Sequence, residues 1–124
     1  MQLEILGQLD FLYLRSDGLL HPVLAYVDMA ALPHMRYSCE EVQDTFLVPL
    51  SWLQDHPPHI YTYELKPQVG ADFPYDLVQA SSSYRWSAGR MDVPVYKGLS
   101  YPLWGLTGRI TEHLVRLLGK LNEQ

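Results

Sequence analysis

The stretch from Tyr84 to Lys97, "YRWSAGRMDVPVYK", sets the cations Arg85, Arg90 and Lys97 against a single carboxylate, Asp92. Tyr84, Trp86 and Tyr96 stand among them. Cationic side chains pair with phosphates, and flat rings stack on other flat rings. The chain as a whole is acidic, with a formal net charge of −5, so a basic cluster among aromatics calls for a reason. A ligand combining a ring with anionic groups supplies one; a solvated hairpin with half-buried aromatics is the plainer alternative. Further on, "LWGLTGRI" (103–110) places Trp104, Gly105 and Gly108 where the last helical pattern begins. Helices usually open on a polar cap. Glycines there let helix backbone approach a strand or a ligand where a Cβ would collide. Trp104 offers a large flat apolar face, either to a ligand or to the core.

Other reactive side chains are isolated in the sequence. His56 and His59 of "HPPH" have no third or fourth metal ligand nearby and read as a surface turn. His21 reads as a satisfied structural histidine within a strand. Cys39 has no neighbouring His or base to activate a thiolate.

The elements that must position these groups follow from the hydropathy pattern. "LEILGQLDFLYL" predicts a strand with a bend near Gly7. Asp17-Gly18 signals a tight turn, and "LLHPVLAYVD" predicts the returning strand, with Pro22 marking an edge or a bulge. Residues 29–38 form a connector broken by Pro33. Thr45–Leu50 predicts a short buried strand, followed by a helix capped by Ser51 with Gln54 completing a capping box, and "HPPH" stops it. "IYTYEL" and "DVPVY" predict two more strands around a loop, "KPQVGADFPYDLVQASSS". In the last segment, Leu106, Ile110, Leu114, Leu117, Leu118 and Leu121 recur at three- and four-residue steps, the signature of one helix face. Arg109, Glu112, Arg116 and Lys120 fall on the wet side. Strands first and one long helix last predict a mixed α/β or α+β domain. A sheet with two apolar faces needs cover on both, and one helix covers one.

Composition narrows the classes. The 124 residues suffice for one domain, and 48% hydrophobic with 19% charged residues fits a globular chain. An acidic balance argues against a general nucleic-acid partner. Apolar runs fall far short of the ~20 residues that span a bilayer. The start, "MQLEILGQLDF", lacks the basic and small-residue marks of a signal peptide, and a single cysteine forms no internal disulfide, so a cytoplasmic chain without a membrane partner is expected.

Taken in order, "LEILGQLDFLYLRSDGLLHPVLAYV", "EEVQDTFLVPLSWL" and "VPVYKGLSYPLWGLTGRITEHLVRLL" resemble the C-terminal part of a Nudix hydrolase, specifically the coenzyme A pyrophosphatase branch. The likeness covers nearly the whole chain, and "WGLT" ahead of an amphipathic terminal helix is its most specific piece. It implies an incomplete Nudix α/β/α sandwich, a single partial domain over 1–124. It also implies a reaction that splits coenzyme A into adenosine 3′,5′-bisphosphate and 4′-phosphopantetheine with Mg²⁺ or Mn²⁺.

That chemistry depends on a motif, G-x5-E-x7-R-E-U-x-E-E-x-G-U, in which a helix brings glutamates together on the metal. Only a decoy is present. Asp28, Arg36, Glu40 and Glu41 match its spacing, but Pro22, Tyr37 and Gln43 replace the opening Gly, the Glu after Arg and the later Gly. Pro33 would break the required helix at a cost of ~3 kcal/mol. The motif is expected upstream of Met1, and the chain is expected to be inactive alone and to bind no metal tightly.

The resemblance makes Arg85, Trp86, Arg90, Tyr96 and Trp104 candidate contacts for coenzyme A, the "WGLT" segment closing the family's domain beside the substrate. Glu41 matches the Glu of the "E-V…F-x-V-P-L" segment and becomes an accessory metal ligand or base, or else a strand-edge surface residue; Glu40 and Asp44 are weaker candidates. A non-catalytic binding or interaction module that lost the motif, and a decayed gene fragment, are the rival readings. An exposed apolar sheet face would favour a homo-oligomer.

Overall fold

A computed structural model describes residues 3–14 and 18–122 of the chain. They form an α+β protein whose strand pairings, among the described residues, are all antiparallel and fall into small separate sheets. Two compact units are present: Met1–Gln54 together with His113–Gln124, and Asp55–Glu112.

In the first unit, β1 (Leu3–Gln8) pairs with β4 (Val23–Val27), and β2 (Leu12–Tyr13) with β3 (Leu19–Leu20). The bend expected near Gly7 is a register shift. Ile5 lies opposite Ala25 and Gly7 opposite Leu24, leaving Leu6 as the extra residue of a bulge. Pro22 has no N–H to give and interrupts the returning arm between β3 and β4, while its carbonyl accepts from the Leu9 N–H at 2.9 Å. Of the expected turn at Asp17-Gly18, Asp17 lies outside the described residues; the Gly18 carbonyl accepts from the Leu14 N–H at 2.9 Å.

The connector contains a 3₁₀ helix, Met29–His34, with Pro33 inside it, and Asp28 caps it by accepting from the Ala30 N–H at 3.1 Å. The strand expected over Thr45–Leu50 does not form. No strand forms over residues 45–49 despite the apolar side chains there, and Leu47 is 71% exposed. A short helix follows, α1 (Leu50–Asp55). Its first turn is closed by the Pro49 carbonyl, which accepts from Trp52 and Leu53 N–H groups at 3.1 and 3.3 Å, so Ser51 sits inside the helix rather than capping it.

The second unit carries a three-stranded sheet in the order β5 (His59–Leu65), β6 (Gly89–Tyr96), β7 (Leu103–Trp104). Directly after β7 comes α2 (Gly105–Asn122), one continuous helix as the periodicity predicts, although Trp104 belongs to the strand before it. Ile110, Leu114, Leu117 and Leu118 are half-buried, Leu106 and Leu121 exposed. On the expected wet side, Arg116 and Lys120 are exposed, while Arg109 and Glu112 are half-buried. In the first unit, His113 of this helix meets the segment after β1: its Nε2 lies 3.4 Å from the Asp10 N–H nitrogen and 3.6 Å from Asp10 Oδ2.

Buried side chains are few among the described residues: Leu53 in α1, and Pro94 and Tyr96 in β6. No helix of the described residues is long and apolar enough to cross a membrane.

Candidate functional site

The sheet of the second unit sorts its side chains by register. Paired residues in an antiparallel sheet share a face, and successive residues alternate. One face carries the pairs Ile60–Pro94, Thr62–Asp92 and Glu64–Arg90, with Tyr96 opposite Leu103. The other carries His59–Val95–Trp104, Tyr61–Val93 and Tyr63–Met91. Lys97, one residue past β6, extends the second set: its Nζ stands over the Tyr61 ring, 5.1 Å from the centroid. The His59 and Tyr61 rings lie 4.4 Å apart, as same-face neighbours should.

The start of α2 covers the Pro94 end of the first face, while Ile60, Thr62, Glu64, Arg90 and Asp92 on the same face are exposed. A Cβ on Gly108 would stand 3.1 Å from the Pro94 carbonyl oxygen and 3.5 Å from Pro94 Cγ. The helix therefore comes nearer to β6 than an alanine would comfortably allow, which is the close approach that "WGLTGRI" implies. Gly105 has a different task. Nothing lies within 4 Å of the Cβ it lacks, but its φ is +62°, the left-handed backbone that turns strand into helix. Tyr96, 3% exposed, lies at the same end of this face.

On the opposite face Met91, Val93 and Val95 are half-buried and the aromatic rings are exposed. Tyr61 and Tyr63 are each 45% exposed and Trp104 is 58% exposed. Trp104 is therefore not core; it presents its ring outward from the short edge strand.

The residues expected to contact substrate do not converge. Arg85 and Trp86 lie in the loop before β6, where the Trp86 ring meets Phe73 edge-on at 5.1 Å and Tyr84 at 5.3 Å. Phe73 also meets Tyr75 at 4.8 Å, so the loop is organised around an aromatic cluster. Arg90 is exposed and opposite Glu64, on the same face as the buried Tyr96 and the opposite face from Trp104. Sequence reasoning did not select His59, Tyr61 and Tyr63. Their alternation in "HIYTYEL" was the available signal.

No known protein family, curated protein or solved structure matches the chain.

Glu41 is exposed in a turn rather than on a strand edge, its N–H donating to the Ser38 carbonyl at 3.1 Å, with Glu40 in the same turn. The connector ahead of them is not the glutamate-bearing helix that the decoy spacing would need. Among the described residues no three His, Cys, Asp or Glu side chains group as a ligand set. These residues do not fit the Mg²⁺ or Mn²⁺ that the Nudix resemblance implies, and no step through a metal is assigned to them. His21 is exposed between β3 and β4, its Nδ1 3.0 Å from Gln8 Nε2, and Cys39 is a free, exposed thiol.

Proposed function

We propose that this chain is the C-terminal part of a Nudix-type diphosphatase acting on coenzyme A or a related nucleoside diphosphate derivative, and that alone it does not catalyse the reaction. The observation supporting this reading is the junction at Trp104–Gly108. Trp104, Gly105 and Gly108 each have a positional reason there: an outward ring, a left-handed turn, and a helix seated closely on β6. In such an enzyme this chain's part is to hold and orient substrate. The metal-binding glutamates belong to the upstream motif, which would supply the water-activating chemistry. Coenzyme A incubated with the purified chain and Mg²⁺ or Mn²⁺ is expected to yield no 4′-phosphopantetheine. Metal-dependent turnover by the chain alone would overturn the reading. So would a coding sequence ahead of the Met1 codon that carries no in-frame glutamate motif.

A second reading, a non-catalytic ligand-binding module, is favoured by the exposed rings on the Trp104 face of the sheet. It survives if ligand binds while no longer form of the protein hydrolyses coenzyme A.

A further inference from the structure

We propose that the groove between the β1–β4 pair and the 3₁₀ helix of the connector binds a fatty acid, its alkyl tail along Leu3, Val27, Ala30, Ala31 and Met35 and its carboxylate on Arg36. The site lies wholly within the first unit, and the inference does not rest on the diphosphatase reading.

The groove has a volume of about 760 Å³. Small-molecule sites are typically about 300–1,000 Å³ and mostly apolar, with a few polar groups that fix orientation. One wall follows from strand register. Leu3 pairs with Val27, so the two share a face, and the pair Ile5–Ala25 continues that face beyond the groove. Glu4, the one charged residue of these two strands, falls on the opposite face with Tyr26. The other wall comes from the connector, where Ala30, Ala31 and Met35 line the groove. The two alanines leave width that longer side chains would fill, and a methionine adapts its shape to an alkyl chain. Leu3, Val27 and Met35 are 42–51% exposed, so covering them with hydrocarbon removes apolar surface from water.

The charges of the groove select the head group. Asp28, His34 and Arg36 all line it. Asp28 stands at the start of the 3₁₀ helix, His34 in its last turn and Arg36 two residues beyond. The Asp28 carboxylate is already engaged as the helix cap, accepting from the Ala30 N–H at 3.1 Å. The side chains of His34 and Arg36 have no hydrogen-bond or ion-pair partner among the described residues. One end of an apolar groove therefore offers an unpaired guanidinium, whose planar fork matches a carboxylate. A ligand with an uncharged tail and a singly charged head uses both features.

The test is calorimetric titration of the full chain with hexanoate, octanoate, decanoate and octanol, each below the concentration at which it self-associates. One site per chain is expected, with affinity rising about two- to fourfold per added methylene. Octanoate is expected to bind about tenfold more tightly than octanol. Amide chemical shifts should move chiefly in β1, β4 and residues 29–36. Arg36→Gln should erase the preference for octanoate over octanol. Ala30→Leu, at an exposed position, should fill the groove and abolish saturable binding of decanoate. Far-ultraviolet circular dichroism checks that both variants keep the fold. Affinity that does not rise with tail length, equal affinity for octanoate and octanol in the unaltered chain, or decanoate binding unchanged in Ala30→Leu overturns the proposal. So does a dimer by light scattering that Ala30→Leu dissociates and decanoate does not, since a second copy then fills the groove. Decanoate binding without hydrolysis of coenzyme A by any longer form keeps this site and removes the diphosphatase. Hydrolysis by a longer form whose groove binds no decanoate does the reverse.

Discussion

The paired strands of the first unit and the three-stranded sheet of the second draw on similar residues but end in different states. β1 and β4 contain Leu3, Ile5, Leu6, Val23, Tyr26 and Val27, all exposed, with Ile5 at 68%. In β6, Pro94 and Tyr96 are buried. Apolar content does not account for the difference. In the two-stranded β1–β4 pair only Leu24 and Ala25 reach half burial, and two-stranded hairpins are marginal in water. The sheet of the second unit has a third strand and a helix start seated on one side, so two strand positions are removed from solvent. Burial follows from the layer rather than from the hydrophobicity of the strand.

Substitutions can break or sharpen that contrast. Tyr96→Ala is expected to have the largest effect, a loss of about 3–5 kcal/mol as for other buried aromatics, read by urea unfolding. A loss under about 1 kcal/mol would mean that the covered end of the face is not a core. Gly108→Val comes next. The added branch meets the Pro94 carbonyl and ring, and overpacking of this kind costs about 1–3 kcal/mol. Thermal unfolding measures it, and an unchanged midpoint would show that α2 can shift away freely. Ile5→Ala is the smallest, within about 0.5 kcal/mol, because its side chain leaves little water behind on folding. A larger loss would show that β1 is covered in solution, and the contrast between the units would disappear.

How far these features were legible in the sequence depended on how local their causes are. The bend at Gly7, the break at Pro22, the stop after α1 and the continuous α2 follow from single residues or from periodicity, and the structure contains each of them. Thr45–Leu50 misled because strand propensity counts only where a neighbouring strand accepts the ladder. The close seat of Gly108 was readable as a glycine without a turn to explain it; that Pro94 receives it was not. The aromatic face was the least legible. Tyr61 and Lys97 are far apart in the chain, and only the pairing of Tyr61 with Val93 brings them together. Conversely, Trp104 is near Arg90 and Tyr96 in sequence, yet its pairing with Val95 puts it on the opposite face from both.

The strand order of the second unit has a consequence for self-templating. Along β5, from His59 to Leu65, no further strand is paired among the described residues, so this is an edge strand. At the other side β7 offers only Leu103 and Trp104 before the helix begins. Such edges are where one chain recruits another. On the β7 side Gly89–Pro94 of β6 also has no paired strand among the described residues, so two copies joined through β5 about a two-fold axis would fill the longer edge and leave the shorter one open.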